Sequence, residues 1–249
     1  DASLVIVSSD AALQNVIIES EDAAITINYS EILDADEVLI NNALTIQTPT
    51  VNMQMPDSLT ISSSGWNGIM KLPEITTIDL SELDTESETF TSDIVIIIGS
   101  DTEELTFSKP VRLVFTGEGG NGDTGIGFFK RANSDQITLI ETECDADDLI
   151  TVQAQLSPGE ECIFDDGTDF IVWTTHATTF GHGHSSPSGG GPGGGNGVGK
   201  TGVGPSGTGR GLGGFGGILS TPLTINEITY DRCEENMATI LVSSDADKA

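Results

Sequence analysis

Apolar and polar residues alternate in short runs along the first third of the chain, and Asp, Asn, Ser or Pro ends most of the runs. Alternation of this kind is the pattern of a β-strand with one buried face. β-Branched residues, which favour strands, occupy many of the apolar positions. The pattern predicts short strands at residues 4–7, 16–18, 24–27, 38–40, 44–46, 59–61 and 75–80.

The predicted strands lengthen from residue 90 onward. They fall at residues 93–98, 105–107, 111–115, 125–129, 136–142, 149–155, 162–164 and 170–175. Turn residues such as Asp165-Asp166-Gly167 separate them, at the spacing of roughly 8 to 12 residues that is typical of a sandwich or jelly roll. No segment sustains helical apolar spacing, so we predict an all-β fold with a β-sandwich or jelly-roll-like body. Its parts are an N-terminal strand module (1–92), which is able to share one sandwich with the next, and a β-sandwich module (93–180).

Residues 181–217 differ from everything before them, because more than half of them are glycine. A segment with so little apolar surface is predicted to be a flexible linker. Residues 218–249 then form a short C-terminal strand segment, too small to fold alone. Residues 194–201 match the phosphate-loop pattern, but a working phosphate loop lies between a buried strand and a helix, so we interpret the match as accidental.

Charge limits the partners that we expect. Acidic residues number 39 against 9 basic ones, and the formal net charge is −30. Such a chain repels nucleic-acid phosphates and anionic membrane surfaces, so we predict neither as a partner. No apolar run approaches the ~18 residues of a membrane span. The chain begins at Asp1 without an initiator Met, directly before a strand pattern, which predicts an exported mature protein.

Several stretches carry a family resemblance: WNG (66–68), LTFSKPVRL (105–113), TEC (142–144), GEECI (159–163), DFIVWTTHATTF (169–180) and the glycine-rich segment with the ITYDRCEENM (228–237) that follows it. They resemble the repeated β-sandwich module of exported archaeal, especially thaumarchaeal, surface proteins, many of which carry a PEFG-type sorting signal. Ala177 departs from the Phe that is usual in that family. The resemblance implies an extracellular location at the cell surface and a disulfide between Cys144 and Cys162 that leaves out Cys233.

Acidic loops are the candidate metal sites. Calcium takes six to eight oxygen ligands, and several loops offer hard oxygens. The candidate ligands are Asp145, Asp147, Asp148, Asp165, Asp166 and Asp169, with a further acidic loop at residues 118–123. A solvated acidic surface explains the same clusters without a metal. His176, His182 and His184 are candidate ligands for a transition metal, although His176 also resembles a strand-end residue of the family and the other two fall at the start of the predicted linker.

The sequence predicts a structural protein rather than an enzyme, because it contains no nucleophile motif and no zinc-protease motif. We expect a subunit of an archaeal surface filament, a homopolymer joined by donated β-strands. The predicted donor strand is Leu4, Val5, Ile6 and Val7, with Ile240, Leu241 and Val242 as the alternative. The alternative function is a monomeric surface adhesin or an envelope or S-layer-associated module that binds calcium. Asn28 begins the sequon Asn28-Tyr29-Ser30, which predicts glycosylation.

Overall fold

Strands form most of the described chain, because alternating apolar residues bury one face of a sheet while the polar residues between them stay at its surface. The computed structural model describes residues 3–6, 13–19, 24–100, 103–120, 125–132, 134–187, 229–230 and 238–242. The predicted all-β class is confirmed, with two sheets in a sandwich-like arrangement. The strands are β1 (Ser3–Ile6), β2 (Leu13–Ile18), β3 (Ile25–Asn28), β4 (Glu37–Ile40), β5 (Leu44–Gln47), β6 (Val51–Met55), β7 (Leu59–Ser62), β8 (Ile69–Thr76), β9 (Glu88–Gly99), β10 (Leu105–Phe115), β11 (Gly125–Lys130), β12 (Ile137–Leu139), β13 (Glu161–Asp165), β14 (Phe170–Ala177), β15 (Thr179–Pro187), β16 (Thr229–Tyr230) and β17 (Ala238–Val242).

The described strands divide into a seven-stranded and a ten-stranded sheet. The first has the order β1-β3-β8-β9-β15-β11-β12. The second has the order β13-β14-β10-β6-β5-β2-β17-β16, and β7 also pairs with β10 and β4. Both predicted modules therefore contribute strands to both sheets, and β9 crosses the predicted boundary at residue 92. The two modules share one pair of sheets, an arrangement that the sequence left open.

The main apolar core lies between the two sheets. Ile96 and Phe180 enter it from the seven-stranded sheet, and Leu113 and Val172 enter it from the ten-stranded sheet. Every residue of β14 is buried, because the outer face of its sheet is also covered. A second apolar cluster, which includes Trp173, covers that face. This double burial explains why β14 begins with an unbroken apolar run, residues 170–173, rather than an alternating pattern.

The strand predicted at residues 149–155 is wrong, since these residues form the helix α1 (Leu149–Gln155). The Asp148 carboxylate caps its first turn by accepting a hydrogen bond from the Thr151 backbone N–H. Leu149, Val152 and Leu156 pack against the outer face of the ten-stranded sheet. Their spacing of three and four residues is the helical one, and the β-branched residues between them concealed it.

The predicted start of the linker at Gly181 is also wrong, because β15 continues from Thr179 to Pro187. Glycines in this strand are required by close contacts. A Cβ on Gly181 would lie 2.2 Å from the Phe128 ring, and a Cβ on Gly183 would lie 2.2 Å from the Thr91 carbonyl oxygen. The rest of the predicted linker, residues 188–217, lies outside the described residues, as does the phosphate-loop pattern within it.

Smaller differences concern strand ends. The strands predicted at 105–107 and 111–115 are one strand, β10, with an irregularity in its pairing between Thr106 and Val111 that accommodates Pro110. The strand predicted at 75–80 ends at Thr76, and a 3-10 turn follows at Ser81–Leu83. No strand was predicted where β6 lies.

Candidate functional site

Three side chains from distant parts of the chain meet where β9 pairs with β15: Asp93, Glu118 and His182. Their ligand atoms, one from each residue, all lie within 4.8 Å of one another. His182 Nδ1 lies 3.4 Å from Glu118 Oε2 and 3.6 Å from Asp93 Oδ2. Among the described residues, no other group of three His, Cys, Asp or Glu side chains is this close. We call this group the carboxylate–histidine cluster.

His182 is placed by the strand β15. Residues two apart on a strand point to the same face, so Phe180, His182 and His184 share one face. Phe180 points into the main core, and His182 is fully buried beside it, with its ring centroid 4.5 Å from that of Phe170. Neither ring nitrogen of His182 makes a hydrogen bond. A buried imidazole without a hydrogen-bond partner is uncommon and points to a specific role.

Asp93 reaches the cluster through a β-bulge. Gly183 pairs with Ser92 and His182 pairs with Ile94, so Asp93 is the extra residue of β9 at this point. Bulges turn a side chain away from its regular direction and are frequent next to functional sites. His184 Nδ1 donates a hydrogen bond of 3.1 Å to the Asp93 carboxylate. The bulge and His184 together fix where this carboxylate lies.

Glu118 lies in the loop that follows β10. This loop connects the two sheets, since β10 and β11 belong to different ones. Acidic side chains of the loop between β13 and β14 hold it in place. Asp169 accepts a hydrogen bond from the Gly117 N–H at 2.8 Å, and Asp165 accepts one from the Gly120 N–H at 2.8 Å. Hydrogen bonds at Gly117 and at Gly120 thus fix the backbone on either side of Glu118.

Burial dominates the electrostatics of the cluster. Desolvation lowers the pKa of His182 below its ordinary value, although the negative charge of Asp93 acts in the opposite direction. Desolvation raises the pKa of Glu118, and repulsion by Asp93 adds to the rise. The cluster therefore presents a neutral imidazole to two carboxylates that repel each other. A bound cation would relieve that repulsion.

No three of the six predicted calcium ligands have ligand atoms within 4.8 Å of one another, and most of the six accept hydrogen bonds from protein donors. Asp147 accepts hydrogen bonds from Arg112 and from the Trp173 indole. Asp148 caps α1. Asp166 accepts hydrogen bonds from the Thr168 and Asp169 backbone. The roles of Asp165 and Asp169 in holding the Glu118 loop are given above, and the backbone N–H of Asp145 donates to Gln155. Calcium binding by these residues stays a prediction.

The three histidines are not brought together either. His176 is buried on β14, where its Nε2 lies 2.9 Å from Glu161 Oε2. His182 and His184 both face Asp93 on β15. His182 and His184 thus share one strand face, whereas His176 belongs to a separate pair with Glu161.

The predicted disulfide is confirmed. Cys144 and Cys162 are bonded to each other, with Cα atoms 5.2 Å apart, and the bond closes a segment that contains α1. Cys233 lies outside the described residues. Asn28 is half-buried at the end of β3, where its side chain accepts a hydrogen bond from the Ser30 N–H. Its glycosylation stays a prediction.

Both predicted donor strands are paired within the chain. β1 adds in parallel to β3, with Leu4 opposite Thr26 and Val5 opposite Ile27. β17 adds in parallel to β2, with Ile240 opposite Val16. Val7 lies outside the described residues. Each strand joins a body strand that is distant from it in sequence.

Asp93 is the member of the cluster that sequence reasoning missed. It stands inside a strand pattern, and no sequence signal shows that a bulge turns it toward His182. Glu118 was named only as part of an acidic loop, and His182 only as part of His-Gly-His.

Comparison with known proteins adds no assignment. No family model matches the chain, and no curated protein matches it. Among the described residues, no helix has both the length and the apolar character needed to cross a membrane.

Proposed function

We propose that this protein is a structural subunit of an extracellular archaeal surface filament, in which neighbouring copies are joined by donated β-strands. The role is mechanical and needs no catalytic residue. The resemblance of residues 105–113 and 169–180 to archaeal surface modules supports the location and the class of protein.

The observation that carries the proposal is how the strands near the two ends of the chain pair. β1 and β17 each add in parallel to a body strand, β3 and β2 respectively. Parallel partners cannot be joined by a tight hairpin, so no short turn ties β1 to β3 or β17 to β2. The same strand from a neighbouring copy would make the same backbone hydrogen bonds, which is the condition for strand exchange.

The glycine-rich sequence between β15 and β16 supports exchange by β17. Its composition offers little apolar surface to hold it against the body. The high negative charge requires that subunits meet through backbone pairing or screened surfaces, because like-charged faces repel. Strand addition satisfies this, since it depends on main-chain hydrogen bonds.

One observation favours the alternative, a monomeric adhesin or envelope module. β1 and β17 complete the sheets of their own chain, so a single copy has no missing strand at these positions. The two functions make different predictions for purified protein. A monomeric module gives separate particles, and an exchanging subunit gives fibres.

Electron microscopy of three truncations tests the proposal. Deletion of residues 1–9 removes β1, and deletion of residues 218–249 removes β16 and β17. We expect regular fibres from the full chain and loss of fibres from at least one truncation, with a soluble and less stable monomer left. Deletion of residues 243–249, beyond β17, is the matched control and should retain fibres. Separate particles from the full chain, or normal fibres from both larger truncations, would refute strand exchange.

A further inference from the structure

We propose that Asp93, Glu118 and His182 bind one divalent transition-metal ion of the zinc type. This inference is independent of filament formation. Its first support is His182. The side chain is fully buried, neither ring nitrogen has a hydrogen-bond partner, and Nδ1 faces both carboxylates.

The distances fit a shared ion better than direct contact. His182 Nδ1 is 3.4 Å from Glu118 Oε2 and 3.6 Å from Asp93 Oδ2, and neither contact is a hydrogen bond. Ligands at about 2.0–2.1 Å from a tetrahedral zinc ion lie about 3.4 Å from one another. The two separations from Nδ1 are therefore close to the ligand–ligand distance around a tetrahedral zinc ion.

The donor set selects the class of metal. Calcium and magnesium prefer oxygen ligands alone, whereas an imidazole nitrogen beside carboxylates suits zinc and related first-row metals. A metal-binding nitrogen must be free of its proton, and Nδ1 of His182 makes no hydrogen bond to either carboxylate. Three protein ligands leave a fourth position for water or another donor.

The surroundings hold the ligands in place. His184 donates a hydrogen bond to the carboxylate of Asp93, which is the outer contact that orients many metal ligands. Asp165 and Asp169 pin the loop that carries Glu118. An ion can reach the two carboxylates from solvent, because the Asp93 side chain is 30% exposed and the Glu118 side chain 29%.

The test uses the full chain after removal of metals with a chelator. Calorimetric titration with Zn²⁺ should show one strong site per chain, and Co²⁺ should give a visible spectrum typical of nitrogen and oxygen coordination. Asp93→Asn and Glu118→Gln should each weaken Zn²⁺ binding by at least about tenfold, because even outer contacts of a metal ligand are worth that much. Both substitutions preserve side-chain shape, and circular dichroism checks the fold of each variant.

Glu161→Gln is the matched control. It changes the carboxylate of the other buried His–Glu pair, where no third ligand is close, and should leave the Zn²⁺ affinity unchanged. The absence of a stoichiometric Zn²⁺ site in the full chain would overturn the proposal. Equal Zn²⁺ affinity of the full chain and of a folded Asp93→Asn or Glu118→Gln variant would also overturn it. Displacement of Zn²⁺ by equimolar Ca²⁺ would overturn it as well.

Discussion

At the scale of single residues, the carboxylate of Asp147 serves as a hydrogen-bond acceptor for two partly buried side chains. Arg112 lies on the outer face of β10, and its guanidinium donates to both oxygens of Asp147. The indole of Trp173 donates to the same carboxylate at 2.9 Å. Partial desolvation raises the pKa of Asp147, but these hydrogen bonds and the charge of Arg112 outweigh it, so the pKa lies below its ordinary value. The carboxylate therefore satisfies two donors that the fold largely buries.

The first prediction concerns Asp147→Ala. The substitution removes the acceptor of the Trp173 indole N–H and two of the three hydrogen bonds of the Arg112 guanidinium, which keeps the bond to Gln54, at a place that water reaches poorly. We expect the free energy of unfolding at pH 7 to fall by about 2–3 kcal/mol, as for loss of a charged hydrogen-bond partner. Urea denaturation, followed by Trp fluorescence, measures the difference.

The pH dependence of that difference follows from the sign of the pKa shift. A carboxyl group whose pKa is lower in the folded state stabilises the fold above its unfolded value, about 3.9, and loses this effect as the pH falls through the folded value. The gap between the original protein and Asp147→Ala should narrow below about pH 4. Asp57→Ala removes an exposed carboxylate near Lys109 and is the control, with little expected change. An equal loss of unfolding free energy in Asp147→Ala and Asp57→Ala would contradict the role given to the hydrogen bonds of Asp147.

At the scale of elements, β15 joins the core to the carboxylate–histidine cluster. Phe180 packs in the core, and His182 and His184 follow on the same face. The opposite face carries Gly181 and Gly183, which allow Phe128 and the backbone of β9 to approach closely. These glycines allow neighbouring strands to pack closely, although in the sequence they resemble the start of a linker.

Gly183→Ala tests this role. The added Cβ would lie 2.2 Å from the Thr91 carbonyl oxygen, and backbone at both sides must shift to accommodate it. We expect a loss of about 1–3 kcal/mol in the free energy of unfolding, as for overpacking elsewhere, because the β-bulge at Asp93 is displaced. Thermal and urea denaturation measure the loss. Ser186→Ala, near the exposed end of the same strand, is the control; equal stability of both variants would show that the bulge tolerates a side chain.

The sequence predicted best the strands that bury one face and expose the other. Strands such as β5 and β7 have alternating patterns and clear turn signals, so they were found close to their observed bounds. The helix α1 was missed because it has only seven residues and carries β-branched ones. β15 was missed because its glycines depend on contacts with Phe128 and Thr91, which no local pattern reveals. For the same reason Glu118 and His182 were named separately, and their meeting with Asp93 was not foreseen.

At the scale of the whole molecule, the order of the strands in space departs from their order in the chain. β9 and β15 pair across the seven-stranded sheet, and β10 and β14 pair across the ten-stranded one. These four long strands form the centre of the fold. By contrast, β1 is added at one edge of its sheet, and the pair β16 and β17 is added at an edge of the other. A strand added at an edge is the part of a sheet that exchanges with least disturbance of the core.

The last prediction distinguishes pairing within one chain from pairing between chains. In the parallel register of β1 and β3, Leu4 lies opposite Thr26. Leu4→Cys and Thr26→Cys are made as two separate proteins, each with Cys233→Ser so that no other unpaired cysteine is present. The two are mixed, assembled and oxidised. If β1 is donated, the cysteines meet across the subunit boundary and a covalent dimer appears on a non-reducing gel. Leu4→Cys mixed with Thr60→Cys is the control, since β7 does not pair with β1 and no dimer should form. The contrary result has two parts: the mixture stays monomeric, and a disulfide forms inside one chain when both cysteines are placed in the same protein. That result would show that β1 completes its own sheet and that any filament is joined elsewhere.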